Sequence, residues 1–222
     1  MRVKREINRL EKGIESRNNI YCASKREFYE HGYNNSKIQR IVDSVNAPLG
    51  LFSYYFKTKD AVVSEIYAEY LDAIYSYLNH FDWFLEDTSL FRHLLASRIY
   101  YQNIFSDQNI ARFYCEVLLR KSNYRVLNTS IRRIYEAYIA DYQLETTPEE
   151  LDTIMIFDFG SRRELFLNYC ESASSINIHK ASEELTLLVP KLLMIPPKEL
   201  SRLLEKCQNY LIEEEFSYIK ML

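Results

Sequence analysis

The sequence predicts an all-α protein, a small N-terminal three-helix head on a larger helical body, and three observations carry that prediction. Only 4 of its 222 residues are Gly, where an average composition of about 7% would give roughly 15, so sharp turns are few. Apolar residues recur at i, i+3, i+4 and i+7 from about residue 14 onward, the spacing of a helix with one buried face. Near Asn46 two short helical segments meet at a tight turn ahead of a long third one, the layout of a helix-turn-helix unit.

The elements follow in order. A first helix over 14–31 presents Ile20, Ala23, Ser24 and Phe28 on one face and is closed by Gly32, with His31 beside the stop as a partner for the helix dipole. Ser36 and Gln39 fit a capping box for a helix over 36–45, whose apolar face is Ile38, Ile41, Val42 and Val45. Asn46 tolerates the left-handed backbone of the turn, and Pro48 suits the first turn of the next helix, 48–56. Thr58 can cap the long helix that begins at Lys59 and carries Val63, Ile66, Tyr67, Tyr70, Leu71, Ile74, Leu78 and Phe81 at helical spacing. In such a unit the second helix enters the DNA major groove.

The run Gly50-Leu51-Phe52-Ser53-Tyr54-Tyr55-Phe56-Lys57-Thr58-Lys59-Asp60, with Phe28, His31-Gly32-Tyr33, Ser36–Ile38, Ile41 and Asn46–Pro48 before it, resembles the DNA-binding head of TetR-type transcriptional repressors over about residues 14–63. The resemblance implies a head over 1–58 and a ligand-binding and dimerisation body over 59–222. It implies a regulator that acts as a homodimer on a palindromic operator in double-stranded DNA and is released by a small-molecule effector, with no cofactor. Lys37, Tyr54, Tyr55 and Lys59 are expected on phosphates, and Gln39, Leu49, Leu51 and Ser53 at base edges. The sequence departs from the family pattern at Leu49, Leu51 and Ser53, where Lys or another polar residue, Thr and Tyr are usual. Leucines can meet thymine methyls but cannot form bidentate pairs with bases. That departure supports an alternative: a small-molecule or lipid-binding protein of the same fold that has lost sequence-specific DNA binding.

Charge agrees with a nucleic-acid-binding head. Residues 1–60 carry 12 Lys and Arg against 7 Asp and Glu, and the remainder 16 against 24; phosphate attraction supplies most non-specific affinity. Arg2, Lys4, Arg5, Arg9 and Lys12 read either as an arm on the DNA backbone or as a solvated terminus. Enzyme classes are disfavoured: the glycines form no G-x-G-x-x-G, there is no G-x-S-x-G, and the four histidines show no metal-ligand spacing. No signal-peptide pattern or apolar stretch of spanning length is present. Cysteines at 22, 115, 170 and 207 lack any C-x-x-C, so reduced thiols in a cytoplasmic protein are expected.

The body reads as helices over 87–105, 108–121, 124–143, 148–172, 179–193 and 197–219. Thr147-Pro148-Glu149-Glu150 is a strong helix start, with an N-cap, Pro at the first position and Glu to close a capping box. Leu200, Leu203, Leu204, Cys207, Leu211 and Tyr218 form one stripe, and helices 148–172 and 197–219 are expected to pair with their symmetry mates as a four-helix bundle. The ligand pocket implied by the resemblance is placed at Tyr70, Ile74, Tyr77, Tyr101, Phe105 and Tyr138, where helix 59–81 would transmit its occupancy to the head. Asp158 and Arg162 interrupt an apolar face at i, i+4, as a paired charge inside an interface, a polar hook for a ligand, or a pair turned to solvent.

Overall fold

The computed structural model describes residues 2–120, 124–171, 177–213 and 216–222, without the side chains of 2–9, 124–126 and 211–213. Arg2, Lys4, Arg5, Arg9 and Leu211 therefore lie outside the described side chains, and the expected last residues of helices 108–121 and 148–172 lie outside the described residues. Among the described residues every regular element is an α-helix, as the shortage of glycine predicts. The chain divides into two compact units, one reaching to Ile66 and one over Tyr67–Met221.

The first unit holds α1 (Arg2–Asn35), α2 (Ile38–Asp43), α3 (Leu49–Tyr55) and the opening turns of α4 (Lys59–Leu78). Helix α1 begins well before residue 14, and Gly32 (φ 71°, ψ 178°) breaks it where the sequence places its stop; only Gly takes that conformation without strain. Ile20, Phe28, Val42 and Phe52 are fully buried, with Ile41 and Phe56 nearly so, and together they form the core of the head. Asn46 (φ 52°) and Lys57 (φ 63°) take left-handed backbone at the ends of α2 and α3. Pro48 is the residue before the first turn of α3, one position earlier than expected.

The second unit holds the rest of α4, then α5 (Asp82–Leu85), α6 (Ser89–Ser106), α7 (Gln108–Arg120), α8 (Tyr124–Asp141), α9 (Pro148–Glu171), α10 (Ile178–Thr186), α11 (Leu188–Leu192) and α12 (Pro197–Glu213). Helix α6 is the hub, packed by α7, α8, α10 and α12. Most of its surface is buried, from Leu90 and Phe91 to Ile99 and Ile104, as in a helix largely enclosed by others. At α9 the expected capping box is formed: the Thr147 N–H donates to Glu150 Oε2 at 2.8 Å and the Glu150 N–H to Thr147 Oγ1 at 3.2 Å.

Helix α12 departs from expectation. Leu200, Leu203 and Cys207 are buried in a helix packed on α6, while Lys198, Ser201, Arg202, Glu205, Gln208 and Asn209 face outward. The stripe read as an interface between copies is spent inside one chain, and Tyr218 lies beyond the helix. Exposed apolar side chains sit instead on and beside α9 and α11: Ile156, Phe157, Leu192 and Met194. Among the described residues no helix is long and apolar enough to cross a membrane.

Candidate functional site

The outer surface of the head is built around the turn between α1 and α2. The capping box expected from Ser36 and Gln39 is absent. The Ser36 hydroxyl donates to the Tyr33 carbonyl at 2.7 Å, and the Gln39 amide donates to Asp43 Oδ1 at 2.7 Å. The orphan donor at the start of α2 is satisfied from α1: Glu27 Oε1 accepts the Lys37 N–H at 2.9 Å and Arg40 Nε at 2.8 Å. Burial alone would raise the pKa of Glu27; hydrogen bonds from Arg40 and the Lys37 N–H, with the Arg40 and His31 charges, outweigh it and hold that pKa below the usual value.

Lys59 closes the same turn from α4. Its Nζ donates to the Tyr33 carbonyl at 2.6 Å, the Ser36 carbonyl at 3.0 Å and the Ser36 hydroxyl at 2.8 Å, and it lies 4.3 Å from the centre of the Tyr33 ring. An ammonium has three donors, and these acceptors use all three. Lys59, expected on phosphate, is therefore turned inward. The other expected contacts face out to different degrees: Lys37, Gln39, Leu49, Ser53 and Tyr54 are exposed, while Leu51 and Tyr55 are half-buried. Phe52 and Phe56, on the opposite side of α3, anchor it to the core. Lys57, outside the expected contacts, is also exposed just past α3, where its left-handed backbone takes it off the helical pattern.

The second unit encloses a cavity of about 50 Å³ between α4, α6, α8 and α9. Leu71, Tyr75, Ala96, Ile131, Ile134 and Phe159 supply its apolar wall, and His93, Tyr100, Tyr101, Tyr135, Asp158 and Arg162 its polar groups. A smaller void of about 30 Å³ shares Tyr100, Tyr101, Leu127, Phe159 and Arg162 with it.

Asp158 and Arg162 are both buried here, 1% and 9% exposed, which resolves the choice between solvent and interior. Arg162 Nε donates to Asp158 Oδ1 and Oδ2 at 2.8 and 2.9 Å, and the Tyr135 hydroxyl donates to Oδ2 at 2.6 Å. Arg162 also donates to the Tyr101 hydroxyl and to the Leu185 carbonyl, each at 3.2 Å. Burial, the largest single influence, would favour a neutral guanidine, but the charge of Asp158, its hydrogen bonds with Arg162 and the nearby Tyr101 and Tyr135 together outweigh it, so Arg162 stays ionised. The pair is neutral as a whole and satisfies its own charge.

Two cavity groups are not satisfied. His93 Nε2 and the Tyr100 hydroxyl are buried without a hydrogen-bond partner. Burial, with a smaller contribution from the Arg162 charge, lowers the His93 pKa to about 3, so the imidazole is neutral at ordinary pH. Burial chiefly keeps the Tyr100 phenol neutral too, its pKa raised well above the usual value.

Of the six residues expected around a ligand, Tyr101 alone lines this cavity. Tyr70 donates to the Tyr100 carbonyl at 3.0 Å, and Ile74 is fully buried. Tyr77 packs edge-on to Phe81 and Phe216, Phe105 stacks on Phe166, and Tyr138 packs against Tyr135. On α4 the cavity differs from the expected positions by phase: Leu71 and Tyr75 line it, each one position beyond an expected residue, and one position rotates a side chain by about 100°. The spacing of His93 suggests no metal site, and sequence carries no signal for an unpartnered ring nitrogen.

Reduced thiols are corrected at one pair. Cys115 on α7 and Cys170 on α9 form a disulfide, with Cα atoms 6.2 Å apart. Their separation of 55 residues hid this, because pairing of α7 with α9 brings them together in space. Cys22 and Cys207 are free.

Residues 20–66 match the family described as "Bacterial regulatory proteins, tetR family". Among solved structures, RolR in complex with resorcinol superposes with a TM-score of 0.63 at 14% identity, covering 95% of this chain and 99% of that one. A HlyIIR mutant aligns with a TM-score of 0.33 at 16% identity, over 78% of this chain and 94% of its own. The likeness to RolR shows a shared fold. A search of curated protein sequences returned no match.

Proposed function

We propose, from the premise that this chain is a TetR-type regulator by the head it carries at residues 20–66, that it represses transcription from a palindromic operator and is released by a small molecule bound in its body. The observation that carries the DNA half is the helix-turn-helix itself: α3 is anchored through Phe52 and Phe56 and turns Leu49, Ser53 and Tyr54 outward. In this reading α3 lies in the major groove. Gln39, Leu49, Leu51 and Ser53 face bases, Lys37, Tyr54, Tyr55 and Lys57 face phosphates, and Lys59 holds the turn that positions them. With few donors on α3, sequence preference leans on thymine methyls and DNA shape.

The ligand half rests on the cavity. RolR was crystallised with resorcinol, and the shared fold supports a body of this kind as a small-molecule receptor. Leu71 and Tyr75 of α4 line the cavity, and α4 is the helix whose first residue, Lys59, ties the head turn. A ligand that prefers one tilt of α4 changes the spacing of two heads in a dimer, and a coupling of about 1–3 kcal/mol weakens operator binding roughly 5- to 150-fold. The dimer forms through the apolar face of α9 and α11, and the protein acts in the cytoplasm, where its DNA is.

A second reading, a ligand-binding protein that no longer recognises operators, is favoured by the apolar Leu49 and Leu51 on α3. Electrophoretic mobility shift against DNA flanking its own gene separates the two. A discrete complex that resists non-specific competitor supports the repressor; binding abolished by competitor overturns it.

A further inference from the structure

We infer, on the reading that the body is the sensing half of the protein, that its cavity receives a neutral single-ring phenol whose hydroxyl engages His93 Nε2, with the Tyr100 hydroxyl as second polar partner. Both residues line the cavity, and both atoms are buried without a partner. Buried polar groups are nearly always satisfied, so two orphans on residues of one cavity wall mark the place where a ligand or water supplies what the protein does not.

The chemistry of the orphans selects the ligand. A neutral imidazole nitrogen either donates or accepts, according to the tautomer, and a phenol does both. One ligand hydroxyl therefore satisfies His93 in either tautomer and Tyr100 in either orientation. A ketone or an ether only accepts, and an ammonium only donates. Charge narrows the choice further. The ionised groups of the wall, Asp158 and Arg162, already neutralise each other through two hydrogen bonds, so an anion or a cation would enter without a counter-charge.

Size sets the upper bound. An apolar cavity of about 150 Å³ accepts benzene, and the two voids here measure about 50 and 30 Å³. Together they fall short of that volume, so a single ring enters only by displacing side chains that line both voids, Tyr100 and Tyr101 among them. Two fused rings would require the helices themselves to part. Apolar contacts from Leu71, Ile131, Ile134 and Phe159 cover the ring.

The test is calorimetric titration of the full chain with phenol, toluene, benzoate and 2-naphthol. Phenol should bind about tenfold more tightly than toluene, the discrimination expected of one buried hydrogen-bonded hydroxyl, with benzoate and 2-naphthol not binding at millimolar concentration. His93→Leu and Tyr100→Phe should each lower the phenol-to-toluene ratio, toward equality in His93→Leu. Tyr100→Phe keeps the ring in place and serves as the test should His93→Leu not fold. Absence of phenol binding, tighter binding of benzoate, or an unchanged ratio in both variants would overturn the site. Mobility shift keeps the two readings apart. Phenol that binds without releasing DNA leaves the site standing and removes the repressor reading; operator binding in a chain that ignores phenol does the reverse.

Discussion

Lys59 reaches back from the start of α4 to Ser36, donating to its carbonyl at 3.0 Å and to its hydroxyl at 2.8 Å. With the Tyr33 carbonyl as third acceptor, a residue at the edge of the proposed DNA-binding surface becomes a clamp on the turn that carries it. Lys59→Ala should lower the melting temperature and weaken all DNA binding while leaving the salt dependence of binding unchanged. Lys37→Ala and Lys57→Ala should each reduce the salt slope by about 1 with little change in stability. Melting curves and titrations at three salt concentrations decide; a salt slope reduced by 1 in Lys59→Ala returns that residue to the phosphates.

Asp158 and Arg162 make a second prediction. Asp158→Asn leaves the Arg162 charge buried without its partner and should cost about 3–5 kcal/mol, whereas the double change Asp158→Leu with Arg162→Met should cost far less. Urea denaturation of Asp158→Asn and of the double variant compares the two losses. Equal losses in the single and the double variant would mean that the charges are solvated.

His93 predicts how stability depends on pH. Its folded pKa of about 3 lies below the usual value of 6.5, so the unfolded chain binds the extra proton between those limits. The stability associated with a neutral His93 is complete above pH 6.5 and is lost toward pH 3, at about 1.4 kcal/mol per unit. Between pH 7 and pH 5 the wild type should lose about 2 kcal/mol more than His93→Leu. Parallel slopes in the two proteins would show that the imidazole is hydrated.

The Cys115–Cys170 disulfide closes a loop of 55 residues, for which the chain-entropy account gives about 4 kcal/mol, and native bridges commonly contribute about 2–4. Reduction with dithiothreitol should lower the melting temperature of the wild type. It should have no effect on a Cys115→Ser, Cys170→Ser variant, which should melt where the reduced protein does. A wild type indifferent to reductant would show that the bridge contributes nothing.

Assembly is tested on α9. Phe157 is 56% exposed and Ile156 57%, and in the proposed dimer both are covered. Sedimentation should give twice the chain mass of 26.6 kDa, and Phe157→Glu should give a monomer. Glu at Leu204, which is half-buried on α12, should destabilise the fold instead of splitting a dimer. A monomeric wild type at micromolar concentration would remove the dimer from the proposal.

The sequence by itself determined the fold class, the starts of most helices within a few residues though not the early start of α1 or the short α5, and the turn at Asn46, because these depend on local properties: periodic burial, backbone preference and caps. Thr147 and Glu150 are three residues apart and find each other in any helix that starts there, so their capping box was legible. Ser36 and Gln39 have the same spacing, yet the tertiary structure gave their roles to Glu27 and Lys59. Those groups lie 10 and 23 residues from their acceptors or donors, and nothing local announces them. The cavity was decided the same way. Its wall is drawn from four helices, and whether α4 offers Tyr70 or Leu71 to it depends on a rotation of about 100° that only packing sets. Burial of Asp158 with Arg162, the isolation of His93 and the meeting of Cys115 with Cys170 likewise follow from which helices pack together, and helix spacing in one chain does not encode which neighbour each face will meet.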